Sequence, residues 1–203
     1  MKLEPRKNLL TVSDLEDTPG LEDWLEQHDG QVFRLRRSKL GAMVFHSLGE
    51  EPDARREPIN VTSRSPMPIR LISNFAHTPF ELDGLRYAGI EGFWQGLKFP
   101  SDEDRHRLAL LHGSEAKDAG FYAPPADAVT YQGAEIRVGT WQHWELMERA
   151  CRAKFDQNRD ARDALRGTGN RPMVHEMKPD SRTIPGVIMA SIWMRIREGL
   201  AGT

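Results

Sequence analysis

The chain has a single cysteine, no long apolar run and no excess of one charge. Cys151 alone excludes an intramolecular disulfide and a multi-cysteine zinc site. Lys and Arg number 28 against 30 Asp and Glu, so the overall charge does not indicate nucleic-acid binding. No window approaches a membrane span, and no apolar run follows Met1, so we expect a soluble cytoplasmic protein with no membrane partner.

Several motifs that carry chemistry are also missing. The seven histidines form no HExxH and no paired ligand spacing, so we expect no metal site. Gly167-Thr168-Gly169 lacks a preceding strand and a third glycine, which argues against dinucleotide binding. No nucleophile elbow is present. Any catalysis is therefore expected to need neither a metal nor an organic cofactor.

The composition, 38% hydrophobic and 29% charged over 203 residues, suits one globular domain with an appendage. Residues 1–40 differ from the rest and are interpreted as an N-terminal extension whose role is left open. There Leu21–Gln27 predicts a short helix and Gln31–Arg37 a strand. Residues 41–203 form the predicted domain.

Predicted strands cluster early and predicted helices late, which favours an α+β fold that is mainly helical around a small sheet. Ala42–Phe45 is predicted as a strand, and Arg171–Met177 as another. The helices are expected at 102–112, at 115–119 after a Ser114 cap, at 141–157 after a Thr140 cap, at 160–165, and from Pro185 to Glu198. Cys151 falls on the apolar stripe of the 141–157 helix, which predicts a buried structural thiol.

The most informative polar pattern is Glu91, Gln95 and Lys98, at positions i, i+4 and i+7. If Ile90–Phe99 is a helix, this spacing places a carboxylate, an amide and an ammonium on one side, with Trp94 beside them. An amphipathic helix with a solvated polar face gives the same spacing. Bulky apolar residues nearly all round the helix instead favour burial, where a carboxylate has to be paired or used.

Upstream of this helix lie a polar turn and a hairpin. Ser73-Asn74-Phe75 is prone to turn, and Asp83-Gly84 stands between alternating apolar residues, a strong hairpin pattern.

These residues resemble the NADAR domains, also called YbiA-like proteins. The resemblance extends over about residues 43–200, and six features match in order in its most specific part. The matching residues are Ser73-Asn74-Phe75, Asp83-Gly84, Glu91, Gln95, Lys98 and Phe99, supported by Arg152–Phe155, Asn158–Leu165 and Met194–Glu198.

The resemblance implies a single α+β domain that cleaves an N-glycosidic bond. Some members act on phosphorylated ribosylamine intermediates of riboflavin synthesis, and others remove ADP-ribose from guanine bases. ADP-ribose, or ADP-ribosylated guanine in nucleic acid, is thus the expected partner, while any protein partner is left unknown. A binding module without turnover and a structural or inhibitory interaction protein stay open as alternatives, as does hydrolysis of the riboflavin intermediate.

Residue chemistry suggests a role for each candidate. Glu91 is the candidate catalytic carboxylate, because the oxocarbenium-like transition state of glycoside cleavage carries positive charge. Gln95 and Lys98 suit ribose hydroxyls or phosphate, and Asn74 a sugar or base edge. The stacking candidates are Phe75 and Trp94.

Three further candidates lie between prolines, in residues 58–66. Asn60, Ser63 and Arg64 suit ribose and phosphate oxygens, although a polar turn gives the same composition. The basic groups at 34–39 and at 55, 56, 64 and 70 suit phosphate contact or a solvated surface. His175 and Glu176 either lie near the site or are structural polar residues.

One segment departs from the family pattern. Members usually carry an Asp, a Trp and a Trp-Gly loop before the last helix, whereas this chain has Pro179–Gly186 without tryptophan. Asp180 matches the family Asp and is a second catalytic candidate. The alternative interpretation is that Asp180 is an exposed carboxylate in a loop, without a catalytic role. The missing tryptophan predicts a wider pocket that favours a polymer substrate.

Overall fold

The computed structural model describes residues 32–37, 43–48 and 57–201, which form six α-helices and eight short strands. The helices are α1 (Ile90–Gly96), α2 (Asp102–Ala109), α3 (Gly113–Gly120), α4 (Trp141–Gln157), α5 (Arg159–Arg166) and α6 (Gly186–Ala201). A 3-10 turn at Ile69–Ile72 leads into the Ser73 turn. The predicted helix at 21–27 and the basic residues Lys39, Arg55 and Arg56 lie outside the described residues.

The strands pair two by two, and together with the helices they confirm the α+β class. The strands are β1 (Val32–Arg37), β2 (Met43–Leu48), β3 (Ile59–Asn60), β4 (Phe80–Leu82), β5 (Leu85–Tyr87), β6 (Ala128–Tyr131), β7 (Ala134–Arg137) and β8 (Met173–Val174). Three antiparallel pairs follow chain order, whereas β3 pairs in parallel with the distant β8.

The predicted Asp83-Gly84 hairpin is confirmed. Asp83 and Gly84 have φ of 52° and 80°, the two positive values that a tight primed turn requires. Phe80 and Tyr87, opposite each other in the register, stack with ring centroids 5.3 Å apart. The Asp83 carboxylate accepts from Arg149 on α4 at 2.8 Å, so the turn is fastened to the longest helix.

Helix α1 is buried along its whole length, because other helices cover it. It packs against α2, α3 and α4. A Cβ on Gly92 would lie 2.4 Å from the Leu111 carbonyl oxygen, so only glycine permits this approach of α1 to the α2–α3 connection. Its polar residues are therefore enclosed by the fold, contrary to the solvated-face interpretation.

The remaining core lies between α4 and α6. The predicted stripe on α4, with Trp144, Met147, Cys151 and Phe155, is buried, and Cys151 is a free thiol as expected. Within the described residues, no helix combines the length and apolar character needed to cross a membrane.

Two local predictions need correction. Helix α3 begins at Gly113, one residue before the predicted Ser114 cap, and His112 is the residue in the N-cap position. Thr140 does precede α4, but its hydroxyl donates to the Arg137 carbonyl and makes no cap bond. The β6–β7 hairpin, with Gln132-Gly133 at its turn, was not predicted.

Candidate active site

Glu91 and Gln95 form a buried pair on α1. The Gln95 Nε2 atom donates to Glu91 Oε1 at 2.8 Å, and Glu91 is 7% exposed. Burial raises the pKa of Glu91, because removing a carboxylate from water disfavours its charged form. The Gln95 amide and the Lys117 and Lys98 charges act in the opposite direction.

Two lysines complete the charge cluster. Lys98, just beyond the end of α1, is half-buried, and burial lowers its pKa while the Glu91 carboxylate raises it. Its Nζ lies 3.5 Å from the Gly120 carbonyl oxygen. Lys117 on α3 places its ammonium 5.6 Å from the centroid of the Phe75 ring. Lys117 could not be predicted from the sequence, because α3 reaches this site only through tertiary packing.

One oxygen of this cluster is left without a partner. Gln95 Oε1 is buried and makes no hydrogen bond to any described residue. Gly120 closes over it, since a Cβ there would lie 2.0 Å from that oxygen. A buried acceptor without a donor costs free energy, so this atom is suited to a hydroxyl or N–H group of a ligand.

The turn at residues 73–75 is fixed to α1. The Asn74 carbonyl oxygen accepts from Glu91 N at 3.1 Å, and Ser73 Oγ accepts from Phe75 N at 3.3 Å. The Asn74 Nδ2 atom finds only thioether sulfur, 3.1 Å away at Met189, and its Oδ1 has no partner among the described residues. Thioether sulfur is a weak acceptor, so the Asn74 amide is poorly satisfied.

A fully buried lysine stabilises the turn at residues 73–75 by hydrogen bonds to its backbone. Lys154 on α4 is 0% exposed, and its Nζ donates to the Ile72 and Ser73 carbonyl oxygens at 3.0 Å each. Burial lowers the pKa of Lys154 to about 7. The sequence placed Lys154 in a matching motif without assigning it a role, and the structure makes it the support of the Asn74 turn.

Two cavities flank the cluster. One, of about 270 Å³, lies by Phe75 and the start of α3, and its lining includes Ser63, Arg70 and His112. The other, of about 280 Å³, is more apolar, with Trp94 and Lys98 in its lining.

The second cavity has a flat, uncharged wall. Trp94 lies against His143, with ring centroids 4.3 Å apart, and burial lowers the pKa of His143 to about 4, so its ring is neutral at pH 7. The Thr183 side of the cavity belongs to the segment where the family tryptophan is missing.

The predicted site residues thus divide into two groups. Glu91, Gln95, Lys98 and the Ser73–Phe75 turn lie together, with Trp94 and Ser63 in the adjoining cavities. Arg64, next to Ser63, is exposed.

Asn60 and Asp180 are held elsewhere. Asn60 Oδ1 accepts from Glu176 N at 3.0 Å, beside the β3–β8 pair. Asp180 Oδ1 accepts from Ser181 N and Gly186 N at 2.9 Å each, at the start of α6. His175 Nδ1 lies 2.6 Å from the Val61 carbonyl oxygen, so these side chains contact backbone.

Comparison with known proteins identifies the family. The family model described as "Bacteriophage protein GP30.3" matches residues 67–187, more than half of the chain. The chain belongs to the GP30.3 family.

One relative in this family is an uncharacterized 17.1 kDa protein encoded in the Gp30-rIII intergenic region of Enterobacteria phage T4. It is 32% identical over 122 residues, which cover 59% of this chain and 80% of the relative. The GP30.3 match includes α1, α3 and Asp180, whereas Asn60, Ser63 and Arg64 precede it.

The fold of this member of the GP30.3 family is that of a YbiA-like domain. The NMR structure of Escherichia coli YbiA superimposes with a TM-score of 0.54 at 22% identity, covering 75% of this chain and 90% of that chain. The resemblance drawn from the sequence is therefore confirmed, and at this identity the likeness concerns the fold alone. In the described part of the chain, no three His, Cys, Asp or Glu side chains are grouped so as to hold a metal ion.

Proposed function

We propose that this protein is an N-glycoside hydrolase that removes ADP-ribose from guanine bases of nucleic acid, with Glu91 as its catalytic carboxylate. The observation that carries the proposal is the enclosed Glu91 carboxyl, which is bonded to a neutral amide and faces two lysine charges beside two cavities. Buried carboxyls with perturbed pKa values in such places are frequent sites of catalysis.

The reaction adds water across the bond between ribose C1′ and the guanine nitrogen. As that bond breaks, its electron pair leaves with the nitrogen, and positive charge develops on the sugar. Ionised Glu91 stabilises this charge and accepts a proton from the attacking water, whose oxygen bonds to C1′. The departing nitrogen gains a proton, so the products are free ADP-ribose and the unmodified base. The raised pKa of Glu91 makes its carboxylate a stronger base than one in water, which suits it to accept and return a proton.

The surrounding groups suit the substrate. Lys98 and Lys117 supply positive charge for the pyrophosphate, and Gln95 Oε1 can accept from a ribose hydroxyl. Asn74 offers its poorly satisfied amide to the sugar or base edge. Phe75 and Trp94 are the flat surfaces for base or adenine.

The outlying candidates receive supporting roles in this proposal. Ser63 and Arg64 bind phosphate oxygens at the edge of the Phe75 cavity, and Asn60 keeps the 58–66 segment in place. Asp180 uses Oδ1 to hold the start of α6, which leaves Oδ2 for ribose or water. Thr183 lines the cavity from the 179–186 segment, which has no tryptophan, and a wider pocket there would favour guanine in a polynucleotide over a small metabolite.

The direct test is incubation of the protein with guanine-ADP-ribosylated DNA and, separately, with a phosphorylated ribosylamine intermediate of riboflavin synthesis. Mass spectrometry should show that free ADP-ribose is released from the DNA faster than the small compound is turned over. The result should be the same with and without a chelator. Preference for the ribosylamine contradicts the substrate assignment. If neither substrate is turned over and calorimetry shows that ADP-ribose binds, the enzyme assignment is contradicted and a binding module is favoured. The hydrogen bonds from backbone amides to Asp180 also support that alternative.

A further inference from the structure

Two aromatic rings project into solvent immediately after α3. Phe121 is 84% exposed and Tyr122 is 82% exposed. Their ring centroids lie 6.0 Å apart at an interplanar angle of 87°. Exposed aromatic rings forgo the free energy of burial, and neither ring has a packing role that accounts for its place.

The backbone beneath these rings is well defined. Phe121 N donates to the Asp118 carbonyl at 3.1 Å, and Tyr122 N to the Ala119 carbonyl at 3.3 Å. Pro124 and Pro125 follow shortly and restrict the chain further. Stacking on such a surface costs little backbone ordering.

The rings adjoin the candidate active site. Phe121 lines the same cavity as Trp94 and Lys98. It also follows directly after Gly120, whose backbone presses on Gln95, the partner of Glu91. A polymer that places one base at Glu91 would thus bring its neighbouring bases to this edge.

We propose that Phe121 and Tyr122 form a stacking platform for unpaired bases of single-stranded nucleic acid, next to the modified guanine. The proposal rests on the proposed function and names the form of its substrate. Single strands bind to exposed aromatic rings that lie beside lysine charges. The rings stack on the flat faces of the bases, and the lysines attract the phosphates. Asp118 and Asp127 are exposed nearby, so we expect stacking to dominate and binding to depend only weakly on salt.

The test uses the variants Phe121→Ala and Tyr122→Ala and their combination. Leu110→Ala is the matched control, since Leu110 is 77% exposed and lies outside the cavity lining. The first readout is fluorescence anisotropy of a labelled unmodified oligodeoxythymidylate, which needs no hydrolysis. We expect the double variant to bind about 10- to 100-fold more weakly. Phe121→Trp, which keeps a flat ring, should bind as the wild type does.

The second readout is kcat/KM on a guanine-ADP-ribosylated oligonucleotide and on ADP-ribosylated guanosine. Tyr122→Ala, whose ring lies outside the cavity lining, should lose activity on the oligonucleotide only. Three results would each overturn the platform. They are an equal loss of activity on both substrates, a loss of activity or binding in Leu110→Ala as well, and no binding of single strands by the wild type. Single-strand binding that depends on both rings, without hydrolysis by the wild type, supports the platform and contradicts the proposed function.

Discussion

Two glutamates of this protein, the buried Glu91 and the half-buried Glu148, have opposite surroundings. Glu148 on α4 accepts from Arg152 at 2.7 Å through Oε1 and from Arg195 through Oε2, and these guanidinium groups hold its pKa below the ordinary value despite burial. Glu91 on α1 has a neutral amide as its hydrogen-bond partner, and burial raises its pKa.

The space beside the two carboxyls differs as well. The cavity at Glu148 and Arg195 holds about 10 Å³, roughly room for one water. The cavities beside the Glu91 cluster hold about 270 and 280 Å³, enough for part of a ligand. A carboxylate that is paired with two guanidinium groups, and that has no room for a ligand beside it, stabilises the fold. The Glu91 carboxyl, with an amide partner whose own oxygen is unpartnered and with cavities nearby, fits the catalytic role proposed above.

Replacing each carboxylate by an amide should give the sharpest contrast. Glu91→Gln removes a charge that acts in the transition state, so we expect ADP-ribose release from guanine-ADP-ribosylated DNA to fall about 100- to 1,000-fold, or about 3 to 4 kcal/mol. Its fold and ADP-ribose affinity should be kept. The exposed Glu135 on β7 provides the control Glu135→Gln. A folded Glu91→Gln protein with wild-type turnover would remove Glu91 from the mechanism.

The same change at Glu148 should affect stability instead. Glu148→Gln leaves Arg195, 8% exposed at its side chain, without its counter-charge, and we expect a loss of about 3 kcal/mol in the free energy of unfolding. Urea denaturation measures it. The remaining folded fraction should retain turnover per molecule, and an undiminished stability would show that the pair contributes nothing to the fold.

Gly120→Ala tests the enclosure of the Glu91–Gln95 pair. The new methyl would lie 2.0 Å from Gln95 Oε1 and 2.8 Å from Gln95 Cβ, so the amide must move and release Glu91. We expect a stability loss of about 1 to 3 kcal/mol together with reduced turnover. Gly199→Ala on α6 meets no atom within 4 Å and should be neutral or slightly stabilising. Equal behaviour of the two variants would show that the enclosure is loose.

Arg64→Ala tests the edge of the Phe75 cavity. Because Arg64 is exposed, we expect a modest effect, a several-fold loss of the preference for ADP-ribose over AMP and ribose 5-phosphate, or about 1 kcal/mol. Calorimetry with all three ligands measures it. An unchanged preference would place the phosphates away from residues 58–66.

The finest contrast is in the pH dependence of stability. The pKa of Glu91 is raised in the folded protein, so the wild type should lose stability relative to Glu91→Gln as pH rises above 4.5 through the folded value. The pKa of Glu148 is lowered, so its contribution relative to Glu148→Gln should be present above 4.5 and lost as pH falls below it. Denaturation curves from about pH 3 to pH 8 should show these opposite slopes, and parallel slopes would contradict the comparison.

Local patterns were enough to predict much of this structure. The Asp83-Gly84 hairpin, the limits of α4 and the Glu91–Gln95 contact depend on turn chemistry or helical spacing, which neighbouring residues determine. The apolar residues around α1 correctly indicated burial.

The rest depends on contacts between distant segments. Lys117 and Gly120 reach the site because α3 folds back on α1, and no local pattern encodes that approach. The parallel β3–β8 pair joins residues more than a hundred positions apart. For the same reason the sequence did not reveal that Asn60 and Asp180 bond to backbone amides.

The most direct test of the account is a carbon-13 NMR titration of the glutamate side-chain carboxyls. The resonance that disappears in Glu91→Gln should titrate above 4.5, and the one that disappears in Glu148→Gln should titrate below it. A Glu91 carboxyl that titrates at or below 4.5 would contradict the account, because its pKa would then be no higher than that of a carboxyl in water and it would be a weaker base toward the attacking water.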